Sequence, residues 1–90
     1  MNPKRASIEI EGIVQGVGFR PFVYRLAGRF GLSGWVRNTG RGVQIEAEGA
    51  GEDLEAFCQA LRSEAPPLAV ISALRVVPAI PQGGEGFSIQ

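Results

Sequence analysis

The 90-residue chain contains no histidine and a single cysteine, Cys58. Without imidazole or a second thiol, an internal disulfide and the usual zinc and iron ligand sets are excluded, so neither a metal nor another cofactor is expected. An excess of one charge is missing too. Nine Lys and Arg balance nine Asp and Glu, which removes the broad basic footprint of a nucleic-acid binder and leaves only a local cluster of Arg25, Arg29, Arg37 and Arg41 to escape that average. No apolar run approaches the ~18 residues of a membrane span, and Met1 to Ala6 lack the hydrophobic stretch of a secretory signal. The expectations are therefore no nucleic-acid partner, no membrane and a cytoplasmic location. Internal repeats and low-complexity segments are also absent.

What is present suits one small domain over residues 1–90, since 44% hydrophobic residues can fill a single two-layer core. Ser7 to Val14 sets Ile8 and Ile10 against Glu9 and Glu11, the period of a strand with one buried face. From Pro21 the spacing becomes helical through Phe22, Val23, Leu26, Ala27 and Phe30, and Gly31 stands where a left-handed stop is favoured. Ser33–Asn38 and Gly42–Gly49 read as a hairpin joined by "NTGRG", residues that tolerate positive φ or bond their own backbone. A second helix spans Glu52 to Arg62, with Leu54, Phe57, Cys58 and Leu61 on its apolar stripe. Pro66 and Pro67 end it, Val70–Val77 forms a further strand, and Phe87–Ile89 makes only an edge strand or a tail. The order βαββαβ predicts an α+β, ferredoxin-like sandwich, an antiparallel sheet with two helices on one face. That fold by itself licenses no activity.

The chemistry concentrates in "GIVQGVGFRPF", Gly12 to Phe22, at the first strand-to-helix junction. Gly16 and Gly18 open backbone conformations closed to other residues, so successive N–H groups can converge as an anion-binding nest. Pro21 fits a first helical turn, whose free N–H groups add the positive end of the helix dipole. Arg20 contributes a planar, permanently charged fork suited to two phosphate oxygens. The same residues also fit a plain tight turn followed by a solvated arginine, and "GVG" matches neither a full phosphate loop nor a dinucleotide motif.

"GIVQGVGFR" followed by "LSGWVRNTGRGVQIEAEG" resembles the acylphosphatase signature, and the likeness extends through "GEDLEAF" to the closing "GFSI". Within that family, "GFRPFVYRLA" and "APPLAVI" resemble the amino-terminal domain of the hydrogenase-maturation carbamoyltransferases, which implies a domain excised from a larger enzyme. The resemblance implies that Arg20 clamps phosphate, that Asn38 orients the attacking water, and that the backbone of Gln15, Gly16, Val17, Gly18, Phe19 and Arg20 forms the phosphate-binding loop. Pro21 and Tyr24 depart from the more polar stretch of free-standing acylphosphatases. The implied partners are a small acyl phosphate or carbamoyl phosphate and the later domains of the parent maturation enzyme. A free-standing acylphosphatase and a catalytically idle phosphate-binding or docking module are the alternatives.

A site of this kind is chemically coherent without histidine, cysteine or metal. Acyl phosphates expel a carboxylate, and carbamoyl phosphate a carbamate, both weak bases that leave unprotonated, so no general acid is required. Positioning and charge stabilisation on the equatorial oxygens are the main demands, and amides plus one arginine meet them. Taken without the resemblance, Asn38 before "TG" is a turn former. Cys58 reads as a core thiol, Trp35 and Tyr24 as packing or partner contacts, and Glu9, Glu11, Glu46 and Glu48 as the solvated face of two strands.

Overall fold

The computed structural model describes residues 2–90, so Met1, at the start of the segment without a signal-like stretch, lies outside the described residues. The elements run β1 (Lys4–Ile13), α1 (Phe19–Arg29), β2 (Ser33–Asn38), β3 (Gly42–Gly49), α2 (Gly51–Ser63), β4 (Val70–Ala79) and β5 (Phe87–Ile89). They form one sheet in the order β4-β1-β3-β2-β5. The strand pattern explains its two faces. Ala6, Ile8 and Ile10 of β1 and Val43, Ile45 and Ala47 of β3 alternate with polar residues, and Ile8 stands opposite Ile45 in the β1–β3 register. Their apolar face packs against Phe19, Phe22, Val23, Leu26 and Ala27 of α1 and Leu54, Phe57, Ala60 and Leu61 of α2, in one buried cluster.

The expectation of an antiparallel sheet holds for β1 to β4 and needs correction for β5, which pairs in parallel with β2 through Gly34–Phe87 and Val36–Ile89. The cause is geometric. Arg5 stands opposite both Ala79 and Glu48, and Glu48 opposite Ser33, so β4 ends at the end of the sheet where β2 begins. A strand starting there on the far side of β2 must run with it, after a connection that crosses the sheet rather than a hairpin. One local expectation also shifts: α1 begins at Phe19, not Pro21, because the Phe22 N–H reaches the Gly18 oxygen at 3.1 Å, which leaves Pro21 still within the first turn. In the β2–β3 turn, of the two expected devices, bonding to the local backbone is the one found: the Thr39 hydroxyl accepts the N–H groups of Arg41 (3.3 Å) and Gly42 (3.1 Å), and the Thr39 N–H donates to the Gly42 oxygen at 2.9 Å.

The polar face is less uniformly wet than alternation predicts. Glu9 is exposed, but Glu48 is only 4% exposed and Arg5 7%. Arg5 Nε donates to Glu46 Oε1 at 2.7 Å and Nη1 to Glu48 Oε1 at 3.1 Å. Glu48 also accepts the main-chain N–H groups of Gln82 (2.7 Å) and Gly83 (2.9 Å), in the segment that joins β4 to β5. These two amides first, and Arg5 after them, hold the Glu48 carboxyl below the ordinary carboxylate range. Reading Glu46 and Glu48 as a solvated face is therefore corrected. A strand pattern cannot reveal which later segment will lie across it.

Two outcomes follow from this packing. Phe57→Ala, which empties a fully buried position, lowers unfolding free energy by about 3–5 kcal/mol in urea titrations. Because the Glu48 pKa is depressed in the folded state, its stabilisation is complete above the unfolded carboxylate pKa and is lost as pH falls through the lower folded value. The urea midpoint of the native protein therefore drops on acidification below the ordinary carboxylate range, and more steeply than that of Glu48→Gln.

Candidate functional site

The loop after β1 and the turn after β2 meet at the end of the sheet opposite Glu48. Val14 is buried and anchors the loop, and Gln15 to Gly18 turn outward before α1. Gly16 and Gly18 adopt φ of +75° and +78°. Nothing lies within 4 Å of where a Cβ would stand on either, so glycine is needed there for conformation and not for space.

Among the described residues, none of the main-chain N–H groups from Gln15 to Arg20 donates a hydrogen bond within the protein. The first turn of a helix has no acceptors of its own for these groups. Gly18, at the N-cap, has no side chain to offer one, and no acidic residue stands in the first turn of α1. In α2, by contrast, Glu52 and Asp53 occupy that turn. The positive end of the α1 dipole is thus left unneutralised by its own helix, a ready environment for an external anion.

The other expected residues gather around this point through identifiable ties. Gln15 Nε2 donates to the main-chain oxygens of Thr39 (2.6 Å) and Gly42 (2.9 Å), and the Gly12 N–H donates to the Arg41 oxygen (3.2 Å). These bonds clamp the loop to the turn that begins directly after Asn38. Asn38 is exposed, and no hydrogen bond is formed by its side chain among the described residues. Arg20 Nη1 donates to the main-chain oxygen of Gln90 at 3.1 Å, and the Gln90 N–H donates to the Val36 oxygen at 2.8 Å. The arginine is therefore held toward β2, two residues before Asn38. Phe19 is buried and packs on Phe22 with ring centroids 5.5 Å apart, so its side chain serves the core while its N–H stays free. Val17 is half-buried beside it. Chemically, the arrangement offers many donors and, in the side-chain oxygens of Asn38 and Gln15, neutral amide acceptors.

Sequence reasoning missed two participants. The Gln15 side chain acts as a strut to the turn, and the "NTGRG" stretch carries no sign of it; the Gln90 oxygen reaches Arg20 only because β5 runs parallel to β2. The remaining candidates settle elsewhere. Burial, with Glu55 nearby, pushes the Cys58 thiol up, as suits an inert core thiol. The four arginines do not form one cluster: Arg25 and Arg29 line one depression on α1, where Arg29 pairs with Glu64, while Arg37 stacks on Trp35 at 5.0 Å and Arg41 sits in the β2–β3 turn. A depression of about 380 Å³ beside that turn is lined by Glu9, Glu11, Arg41 and Arg75, with no loop residue in its wall. Its Glu11 and Arg75 already form an ion pair, which leaves little unmatched charge for a ligand. No helix of the described residues is long and apolar enough to cross a membrane.

Comparison with known proteins bears on the same stretch. The acylphosphatase family model matches residues 6–89. The chain belongs to the acylphosphatase family. Among curated relatives, this acylphosphatase domain is 55% identical over 75 residues to carbamoyltransferase HypF2 of Cupriavidus necator, covering 81% of the chain and 9% of the relative. It is 42% identical over 88 residues to the acylphosphatase of Thermotoga maritima, covering 97% of each. A crystal structure of full-length HypF in a phosphate- and nucleotide-bound form superposes with a TM-score of 0.96 at 39% identity, over 99% of the chain and 12% of that protein. The domain thus spans about a tenth of the carbamoyltransferases it matches. Its α+β architecture is the acylphosphatase, ferredoxin-like one.

Since both loop glycines owe their place to positive φ in open space, Gly18→Ala lowers stability by about 1–2 kcal/mol in equilibrium unfolding, through strain alone.

Proposed function

We propose that this acylphosphatase domain hydrolyses acyl phosphates, with carbamoyl phosphate as its substrate, as the amino-terminal domain of a cytoplasmic hydrogenase-maturation carbamoyltransferase. The observation that carries the proposal is the run of six main-chain N–H groups from Gln15 to Arg20 without acceptors in the chain, at a helix start with no acidic neighbour. An anion of tetrahedral shape satisfies several of these donors at once, and the Arg20 guanidinium adds charge and a second set of donors. The high identity to carbamoyltransferases supports the larger setting, in which later domains of the same enzyme are the partners.

In the reaction, a water oxygen held by the Asn38 carbonyl attacks phosphorus in line with the leaving oxygen. The bond from phosphorus to that oxygen breaks with its electron pair leaving on the carboxylate or carbamate, and a phosphate oxygen accepts the water's proton. The Gln15–Arg20 amides and Arg20 stabilise the charge on the three equatorial oxygens, and no general acid is needed because the leaving group is a weak base. The Gln15 bonds to the Thr39 turn and the Arg20 bond to Gln90 support this reading, since they tie the loop and the guanidinium to the strand that carries Asn38. A second reading, a free-standing acylphosphatase acting on small acyl phosphates, is favoured by the mutual coverage of 97% with the Thermotoga maritima protein.

Phosphate release from carbamoyl phosphate and from benzoyl phosphate tests both readings. The native domain releases phosphate from carbamoyl phosphate, and a marked preference for benzoyl phosphate would favour the second reading. Arg20→Lys, which keeps the charge and loses the fork, and Asn38→Ala each reduce turnover on the order of a hundredfold. Phosphate binding without release from either substrate would leave an idle binding module.

A further inference from the structure

The β4–β5 connection, residues 80–86, is exposed throughout and contains Gly83, Gly84 and Gly86, with φ of +73° at Gly83 and +77° at Gly86. Such a segment has little intrinsic order. It is nevertheless pinned at two places: by Glu48, which accepts the N–H groups of Gln82 and Gly83, and by the Gly34 N–H, which donates to the Gly86 oxygen at 2.9 Å. Glu48 is in turn fixed from below by Arg5, itself bonded to Glu46. A buried carboxylate that accepts from a guanidinium and two amides has both oxygens engaged, so the crossover is anchored to the sheet at one charged point.

β5 begins at Phe87, after residues 84–86 that follow this anchor, and has only three residues. It runs with β2 from the Glu48 end of the sheet, and at its far end the Gln90 oxygen receives Arg20. Glu48 stands opposite Ser33 and Asn38 is the last residue of β2, so the anchor and the site are separated by the length of that strand, roughly 16 Å. One continuous run of bonded groups spans the distance: Arg5, Glu48, the Gln82–Gly83 amides, β5, Gln90, Arg20.

We propose that Glu48, with Arg5, is a positioning residue for phosphate binding: by pinning the crossover it sets the register of β5 and hence the place at which the Gln90 oxygen holds the Arg20 guanidinium. This rests on the reading of Arg20 as the phosphate clamp. With the anchor intact, the guanidinium is pre-oriented and less ordering is required when an anion arrives. With the anchor lost, β5 shifts or frays and Arg20 samples other positions.

The test uses Glu48→Gln, which keeps the side-chain volume and removes the charge, and a second variant with two glycines inserted after Gly84, which slackens the crossover while leaving Glu48 and Arg5 in place. Leu54→Val in α2 serves as a control for general loss of stability. Inorganic phosphate is titrated against each variant at a temperature where circular dichroism shows it folded, and the Arg20 Nε–H resonance is followed by NMR without ligand. Both test variants weaken phosphate binding by at least about fivefold, the lower end of typical coupling between sites, and both move the Arg20 resonance toward the position of a solvated guanidinium; Leu54→Val does neither. If Glu48→Gln does not fold, the insertion variant decides alone. An unmoved Arg20 resonance in the folded variants, or unchanged phosphate affinity despite lost hydrogen-exchange protection at Gln82 and Gly83, overturns the proposal. Failure of the underlying reading has a different signature: the resonance moves as described, but native protein does not bind phosphate.

Discussion

Main-chain N–H groups at the start of α1 that bond to no acceptor in the chain are the constraint on which this structure turns. A helix start always leaves such donors, and proteins commonly cap them with a side chain or an acidic first turn. α2 has Glu52 and Asp53 in its first turn, where their charge offsets the dipole although no side chain caps the helix by a hydrogen bond. α1 has a glycine cap, an arginine and a proline in their place, and so carries its unmet donors and its dipole toward solvent beside a fixed cation. The fold serves this point. Val14 and Phe19 are buried on either side of the loop, so the segment between them is held at both ends while remaining free to present its amides.

The same chemistry occurs a second time inside the molecule. Glu48 is an anion caught by two consecutive amides and a guanidinium, the set of donors that the Gln15–Arg20 loop offers to a ligand. There the anion belongs to the protein, and the result is an anchor for a glycine-rich crossover. At the loop the chain supplies no such anion, and the donors are left open. The difference lies only in whether the sheet supplies a carboxylate in register, which it does at position 48 of β3 and does not near Gly16.

Membership of the acylphosphatase family places this arrangement on a scaffold shared by free-standing enzymes and by a small part of much longer carbamoyltransferases. In this chain the loop, the exposed Asn38 and the tie from Gln15 to the turn are local devices, formed at one end of the sheet.

Much of this was legible in the chain. Alternation in β1 and β3, helical spacing in α1 and α2, and the glycines around Val17 each express a local preference, and local preferences need no knowledge of distant partners. The roles proposed for Arg20 and Asn38 come from the family resemblance, through residues near them. What could not be read were contacts between segments far apart: Gln15 with the Thr39 turn, Arg20 with Gln90, and Arg5 and Glu48 beneath residues 82 and 83. Glu46 and Glu48 have the pattern of wetted side chains, and only the crossover decides otherwise. The sequence alone determined the order of elements, the dry face of the sheet and the conformation of the loop, because periodicity and backbone sterics act over a few residues. Tertiary structure alone decided that β5 runs with β2, which oxygen holds Arg20 and which carboxylate is buried, because each depends on where β4 ends relative to β2.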